Sequence, residues 1–273
     1  MARLSEIHPL FYHLRIWQKR SFRHIGNLWQ TQQLAQEKSL ENLGFSCKKH
    51  QSLLRRKLGN SDPQLQENKV INLTIAHRQI DGVLIHPGQI FSFWHLVGEA
   101  TAKRGYVEGM QLSRGEVKTG VGGGLCQLAN LLYWMALHTP LEIVERHHHS
   151  FDPFPDDHRV LPFGSGAGIF YNYVDLRFAN PTNQTFQIRV WLTQDHLKGA
   201  IYTDREWAYS YHVFERHHQF LQQNGKNYRA NEIWRSVIDK RTGNLVREEL
   251  LIKNFAEVKY SLNDAQTLIS NMR

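Results

Sequence analysis

The sequence predicts an α+β fold: a helical N-terminal arm, a central mixed domain in which a cysteine-bearing helix packs on an antiparallel sheet, and a β-rich C-terminal tail. Three observations carry this. Apolar residues recur at helical spacing early in the chain, strict alternation dominates later, and no internal repeat or βαβ alternation links the two. The predicted divisions fall at residues 1–69, 70–195 and 196–273.

Taken in order, residues 9–43 read as helix, because Leu10, Leu14, Trp17, Ile25 and Leu28 recur three to four apart while Arg15, Lys19, Arg20 and Arg23 lie mostly elsewhere around the axis. A basic amphipathic helix can dock its apolar stripe on its own protein, or lie on an anionic membrane through residues 9–28. A second helix is expected over residues 47–58, and Gly59-Asn60-Ser61-Asp62-Pro63 reads as a boundary dense in turn formers. Residues 70–80 suit a short helix, and Pro87-Gly88 turns the chain into an alternating strand at 89–94. The helix over 128–138 shows one apolar face through Leu128, Leu131, Leu132 and Met135 and is closed by Pro140. Residues 141–146 read as strand. Val174, Leu176 and Phe178 alternate with Asp175 and Arg177, Phe186, Ile188, Val190 and Leu192 alternate with Gln187, Arg189 and Trp191, and the loop Asn180-Pro181-Thr182-Asn183 suggests that the two segments pair as a hairpin. Further strands are expected over 200–260, with a turn at Thr242-Gly243-Asn244.

Composition narrows the function classes. With 41% hydrophobic and 21% charged residues the chain is that of a folded protein. No stretch reaches the roughly 18 uninterrupted apolar residues of a membrane span, and His13, Arg15 and Lys19 break up any secretory apolar core, so the expected location is the cytoplasm, including the inner face of its membrane. Two cysteines make no disulfide framework. The net charge of +8 is lopsided, for residues 1–69 hold twelve Lys and Arg against five Asp and Glu. No basic-aromatic motif or zinc-finger spacing accompanies that charge, which argues against nucleic acid as a partner. No cofactor is expected.

Chemistry concentrates in residues 120–150. Gly122-Gly123-Gly124-Leu125-Cys126-Gln127 runs straight into the helix, placing Cys126 in its first turn. A helix N-terminus favours thiolate, the nucleophilic form, and consecutive glycines let backbone N–H groups approach a developing oxyanion. Gly122, Gly123, Gly124 and Gln127 are therefore candidate substrate-binding groups and Cys126 the candidate nucleophile. Equally, the glycines can serve close packing and the cysteine can be a small buried hydrophobe. His147 and His149 follow on a strand-like segment and are candidate bases, with Asp175 or Asp152 as the orienting carboxylate. His147 and His149 share a face and could ligate a metal, but adjacent strand residues point apart, so no metal site is assigned.

These motifs together resemble the VanW family. Gly88-Gln89-Ile90-Phe91-Ser92-Phe93, Val97-Gly98, Gly105-Tyr106, Gly122 through Gln127, Leu132-Tyr133, Leu141 through Ser150, and Asp175-Leu176-Arg177-Phe178 with Asn180 carry the resemblance, over about residues 83–193. It implies bacterial origin, a link to the cell envelope and glycopeptide resistance, and a peptide-like cell-wall substrate or precursor. It also implies L,D-transpeptidase-like chemistry, with Cys126 attacking a peptide carbonyl and His149 or His147 as base. The other class consistent with the resemblance is a non-catalytic accessory that binds a wall precursor or a protein partner.

Overall fold

The computed structural model describes residues 9–29, 33–55, 62–113, 116–148, 151–152, 155 and 160–262. The fold is α+β. Among the described residues, no helix is long and apolar enough to cross a membrane.

The first helix, α1 (Pro9–Trp29), ends well before residue 43. Residues 33–44 run instead as an extended cover, bridging Leu34 to Ile90 and Lys38 to Val83. Buried Gln187 holds this cover by accepting from the Leu43 N–H at 2.9 Å and donating to the carbonyls of Ser39 and Glu41. Of the helix expected over 47–58, residues 56–58 lie outside the described residues and the rest is mostly a strand, β1 (Phe45–Leu53). Helix propensity there yields to a long-range ladder, because β1 pairs antiparallel along β10 (His196–Thr203).

Helix α2 (Gln64–His77) starts earlier than the apolar pattern indicated and buries Leu73 and Ala76. After β2 (Leu84–Ile85) and β3 (Ile90–Ser92), the expected strand turns into a short helix, α3 (Phe93–Val97), because the Ser92 hydroxyl caps it by accepting from the His95 N–H. A hairpin of β4 (Glu108–Ser113) and β5 (Glu116–Val121) leads into helix α4 (Cys126–Leu137). Next come β6 (Glu142–Glu145), β7 (Phe151–Asp152), β8 (Arg177–Ala179) and β9 (Phe186–Leu192).

The predicted hairpin between β8 and β9 does not form. β8 lies between β3 and β6, whereas β9 lies between β10 and β2. The turn-like loop between them carries the chain from one sheet to the other; Asn180 is buried there and donates to the carbonyls of Ile85 and Gln184. In the sheet ordered β1-β10-β9-β2, segments from all three predicted divisions sit side by side. Helix α4 packs across β10, β1 and β6, burying Leu128, Leu131, Leu132 and Met135. The tail is a long antiparallel sheet of β11 (Tyr209–Gln223), β12 (Lys226–Asp239) and β13 (Leu245–Val258), with β7 parallel to its last strand.

One expectation about α1 reverses. A stripe of apolar residues normally faces the core, yet Leu14, Trp17, Ile25 and Leu28 are exposed. The helix docks by its polar side. Arg20 donates to the Tyr171 carbonyl and lies over the Tyr171 ring, and Lys19 lies over the Tyr173 ring. Arg23 binds Glu145, and the Asn27 side chain accepts from Arg177 at 2.6 Å.

Candidate functional site around Cys126 and Glu145

The glycine loop is built by close approach. A Cβ on Gly123 would stand 2.0 Å from the carbonyl carbon of Gly109, so only glycine lets this turn lie against β4. Gly122 and Gly124 have φ of +78° and +92°, which L side chains rarely adopt. Buried Asn72 on α2 fastens the turn, donating to the carbonyls of Gly123 (2.9 Å) and Val107 (3.0 Å). The Gly122 N–H donates to Val107 O and the Gly123 N–H to Gly120 O, each at 3.0 Å, so these two amides hold the loop together. The Gln127 amide donates to the Ser52 hydroxyl (2.9 Å) and Leu53 carbonyl (2.7 Å), tying α4 to β1.

Cys126 opens α4 and is partly buried. Burial pushes its thiol pKa up, and this outweighs the lowering effect of N–H groups from Ile169 and from its own backbone. The thiolate expected from the helix terminus is therefore not stored in the resting protein, because desolvation dominates. The strand-like stretch at 166–169 is held over the start of α4 by Asn130, one turn after Cys126, whose side chain accepts from the Ala167 N–H at 2.7 Å. Arg146 anchors the same stretch from the other side, donating to the carbonyls of Gly166 and Gly164 while stacking over the Tyr133 ring.

His147 lies on the far edge of this stretch. Its carbonyl accepts from the Gly168 N–H at 2.7 Å, which joins His147 to the stretch that lies over the start of α4. Its Nε2 sits 3.0 Å from Glu145 Oε1. Among the described residues no imidazole hydrogen-bonds the sulfur; His149 lies outside the described residues. No group of three or more His, Cys, Asp and Glu among the described residues is placed to hold a metal ion.

Asp175 is 1% exposed and engaged by four donors. Its Oδ1 accepts from the backbone N–H groups of Trp94 (3.0 Å) and Leu176 (2.9 Å), and its Oδ2 from the Ser92 hydroxyl (2.6 Å) and Arg177 Nε (2.9 Å). The carboxylate beside an imidazole is Glu145 instead, a residue that passes in the sequence as the polar position of an alternating strand. Burial would raise the Glu145 pKa. Hydrogen bonds from His147 and Arg23, the Arg23 charge and the Asp175 N–H bring it down to about 2. Asp152, the other carboxylate considered, is buried in the tail sheet against Arg229.

Sequence reasoning also missed Asn130, Arg146 and a groove of about 470 Å³ between α1 and the β8 region, lined by Lys19, Phe22, Arg23, Gly26, Asn27, Tyr173 and Arg177. An Asn within an apolar helix face, four residues after the cysteine, was the available signal for the first.

Comparisons with known proteins bear on this arrangement. Residues 68–202 match the family model described as VanW like protein. The chain is 34% identical over 200 residues to the vancomycin B-type resistance protein VanW of Enterococcus faecalis (strain ATCC 700802 / V583), covering 73% of each. It is 33% identical over 121 residues to the uncharacterized protein YoaR of Bacillus subtilis (strain 168), covering 43% of this chain and 37% of that one. No solved structure matches it.

Proposed function

This chain belongs to the VanW family, and on that premise we propose that it serves bacterial cell-envelope metabolism as a thiol acyltransferase or hydrolase acting on cell-wall peptides through Cys126. A role in glycopeptide resistance follows the name of its Enterococcus relative.

The observation that carries the reading is placement: the stretch at 166–169 is held over the start of α4, where Cys126 lies, and its Gly168 N–H is bonded to the carbonyl of His147, whose imidazole meets Glu145. The thiol is protonated at rest, so its proton must leave as the sulfur attacks the carbonyl carbon. An imidazole, that of His147 or His149, takes the proton, and Glu145 beside His147 stabilises the cation formed. The imidazolium then protonates the departing amine as the C–N bond breaks, leaving a thioester on Cys126. An amine acceptor completes transpeptidation, or water completes hydrolysis; either gives up a proton to the imidazole and restores the thiol.

The test is intact-mass analysis of the full chain incubated with peptidoglycan stem peptides. A covalent adduct on Cys126, absent in Cys126→Ala, is the expected result. No adduct and no product with any stem peptide overturns the catalytic reading.

A second reading, a non-catalytic binder of a wall precursor or partner, is favoured by the internal engagement of the Gly122 and Gly123 amides and by the raised thiol pKa. Under it, stem peptides bind wild type and Cys126→Ala equally and leave no adduct.

A further inference from the structure

We propose that α1 seats this protein on an anionic lipid surface, with the apolar side of the helix as the contact face. Phe11, Leu14, Trp17, Ile25, Leu28 and Trp29 are all exposed, Trp17 by 67%, Leu28 by 75% and Trp29 by 87%. At helical spacing these six fall within an arc of about 120°. The opposite side bears the residues that dock on the body, Lys19, Arg20, Arg23 and Asn27. The helix is thus fastened by polar contacts in the one orientation that turns its apolar stripe outward.

Charge selects the occupant. Exposed Arg15 borders the apolar arc, and no Asp or Glu occurs between Ile7 and Gln36. An apolar, tryptophan-bearing face on a helix that carries basic and no acidic residues suits lipid chains beneath anionic headgroups. It does not suit a second copy of the same helix, which would bring like charges together. Lying flat, the helix inserts only its outer half, in keeping with the absence among the described residues of a membrane-crossing helix.

The experiment is co-sedimentation of the full chain with vesicles of phosphatidylcholine alone and of phosphatidylcholine mixed with phosphatidylglycerol, at low and high salt, alongside light scattering of the protein alone. Binding should favour the anionic vesicles and weaken as salt rises, because surface charge attraction is screened. The double variant Leu14→Ser, Ile25→Ser changes only exposed side chains; it should keep the wild-type circular dichroism and lose about tenfold or more in binding. Three results would overturn the proposal: no binding to either vesicle, equal salt-insensitive binding to both, or concentration-dependent self-association that the same double variant abolishes.

Discussion

Arg23 on α1 grips Glu145 on β6 with both terminal guanidinium nitrogens, at 2.6 and 2.7 Å. Sequence positions 122 residues apart are thereby fixed at a carboxylate that also contacts His147 and the Asp175 N–H. The pair is mostly buried, and bidentate charge-assisted bonds of this kind are the strong ones.

Because Glu145 is held at about 2 in the fold, against an ordinary value of 4.5, ionised Glu145 stabilises the protein above pH 4.5. That contribution is lost as pH falls from 4.5 towards 2, where the carboxylate protonates in the folded protein too. Thermal unfolding measured across this range should show wild type losing stability on the order of 2 kcal/mol. Glu145→Gln should be less stable at pH 7 and flatter through that window; a parallel acid limb in both proteins would contradict the assignment.

What could be read from sequence divides along physical lines. Helix α4 and strand β9 announce themselves because their apolar periodicity is local, although α4 is buried nearly all round and β9 also buries Gln187. Strand β1 does not, since Phe45–Leu53 has little alternation and becomes a strand only through its ladder to β10. The separation of β8 from β9 was likewise illegible, for strand partners are chosen by distant segments. Amphipathicity located the two faces of α1 but not which one meets the body, because the decisive contacts, Arg23 to Glu145 and Asn27 to Arg177, are long-range and polar. At the site, Cys126 and its glycines stood out by composition. Glu145 was hidden because a partner three-dimensionally close to His147 looks in sequence like any solvent-facing strand position.

Cysteine reactivity follows from burial. Cys47 is pushed up to about 11 and Cys126 is also raised, so neither carries appreciable thiolate at neutral pH. Iodoacetamide should label both more slowly at pH 7 than it labels an unstructured cysteine peptide, with the rate climbing about tenfold per pH unit toward alkaline pH. Rapid labelling of Cys126 at pH 6.5 would mean that the sulfur is ionised after all.

The glycines make a stability contrast. Gly88 has φ of +78° but open space around a Cβ, so Gly88→Ala should cost only backbone strain, about 1 kcal/mol. At Gly123 the added carbon meets the Gly109 backbone at 2.0 Å, and relief requires moving β4 from the loop. Gly123→Ala should cost about 3 kcal/mol or more by denaturant unfolding. Equal costs at the two sites would show that the loop yields without penalty.

The last prediction separates Asp175 and His147, two residues near the site, by what each does. Asp175 satisfies four donors in a closed environment, among them the Arg177 guanidinium. Asp175→Asn takes from that guanidinium its nearer carboxylate, leaving only Glu145 at 3.8 Å, and should lower stability by about 3 kcal/mol or more, whatever the chemistry of Cys126. His147 is exposed at its side chain, and its carbonyl, not its ring, holds Gly168. His147→Ala should therefore unfold within about 1 kcal/mol of wild type. If His147 is the base, the same variant should slow adduct formation on Cys126 most at neutral pH and least in alkali, where hydroxide supplies the ionised thiol without help. An unchanged pH profile in His147→Ala would pass the role to His149, and Asp175→Asn unfolding like wild type would remove Asp175 from the framework of the fold.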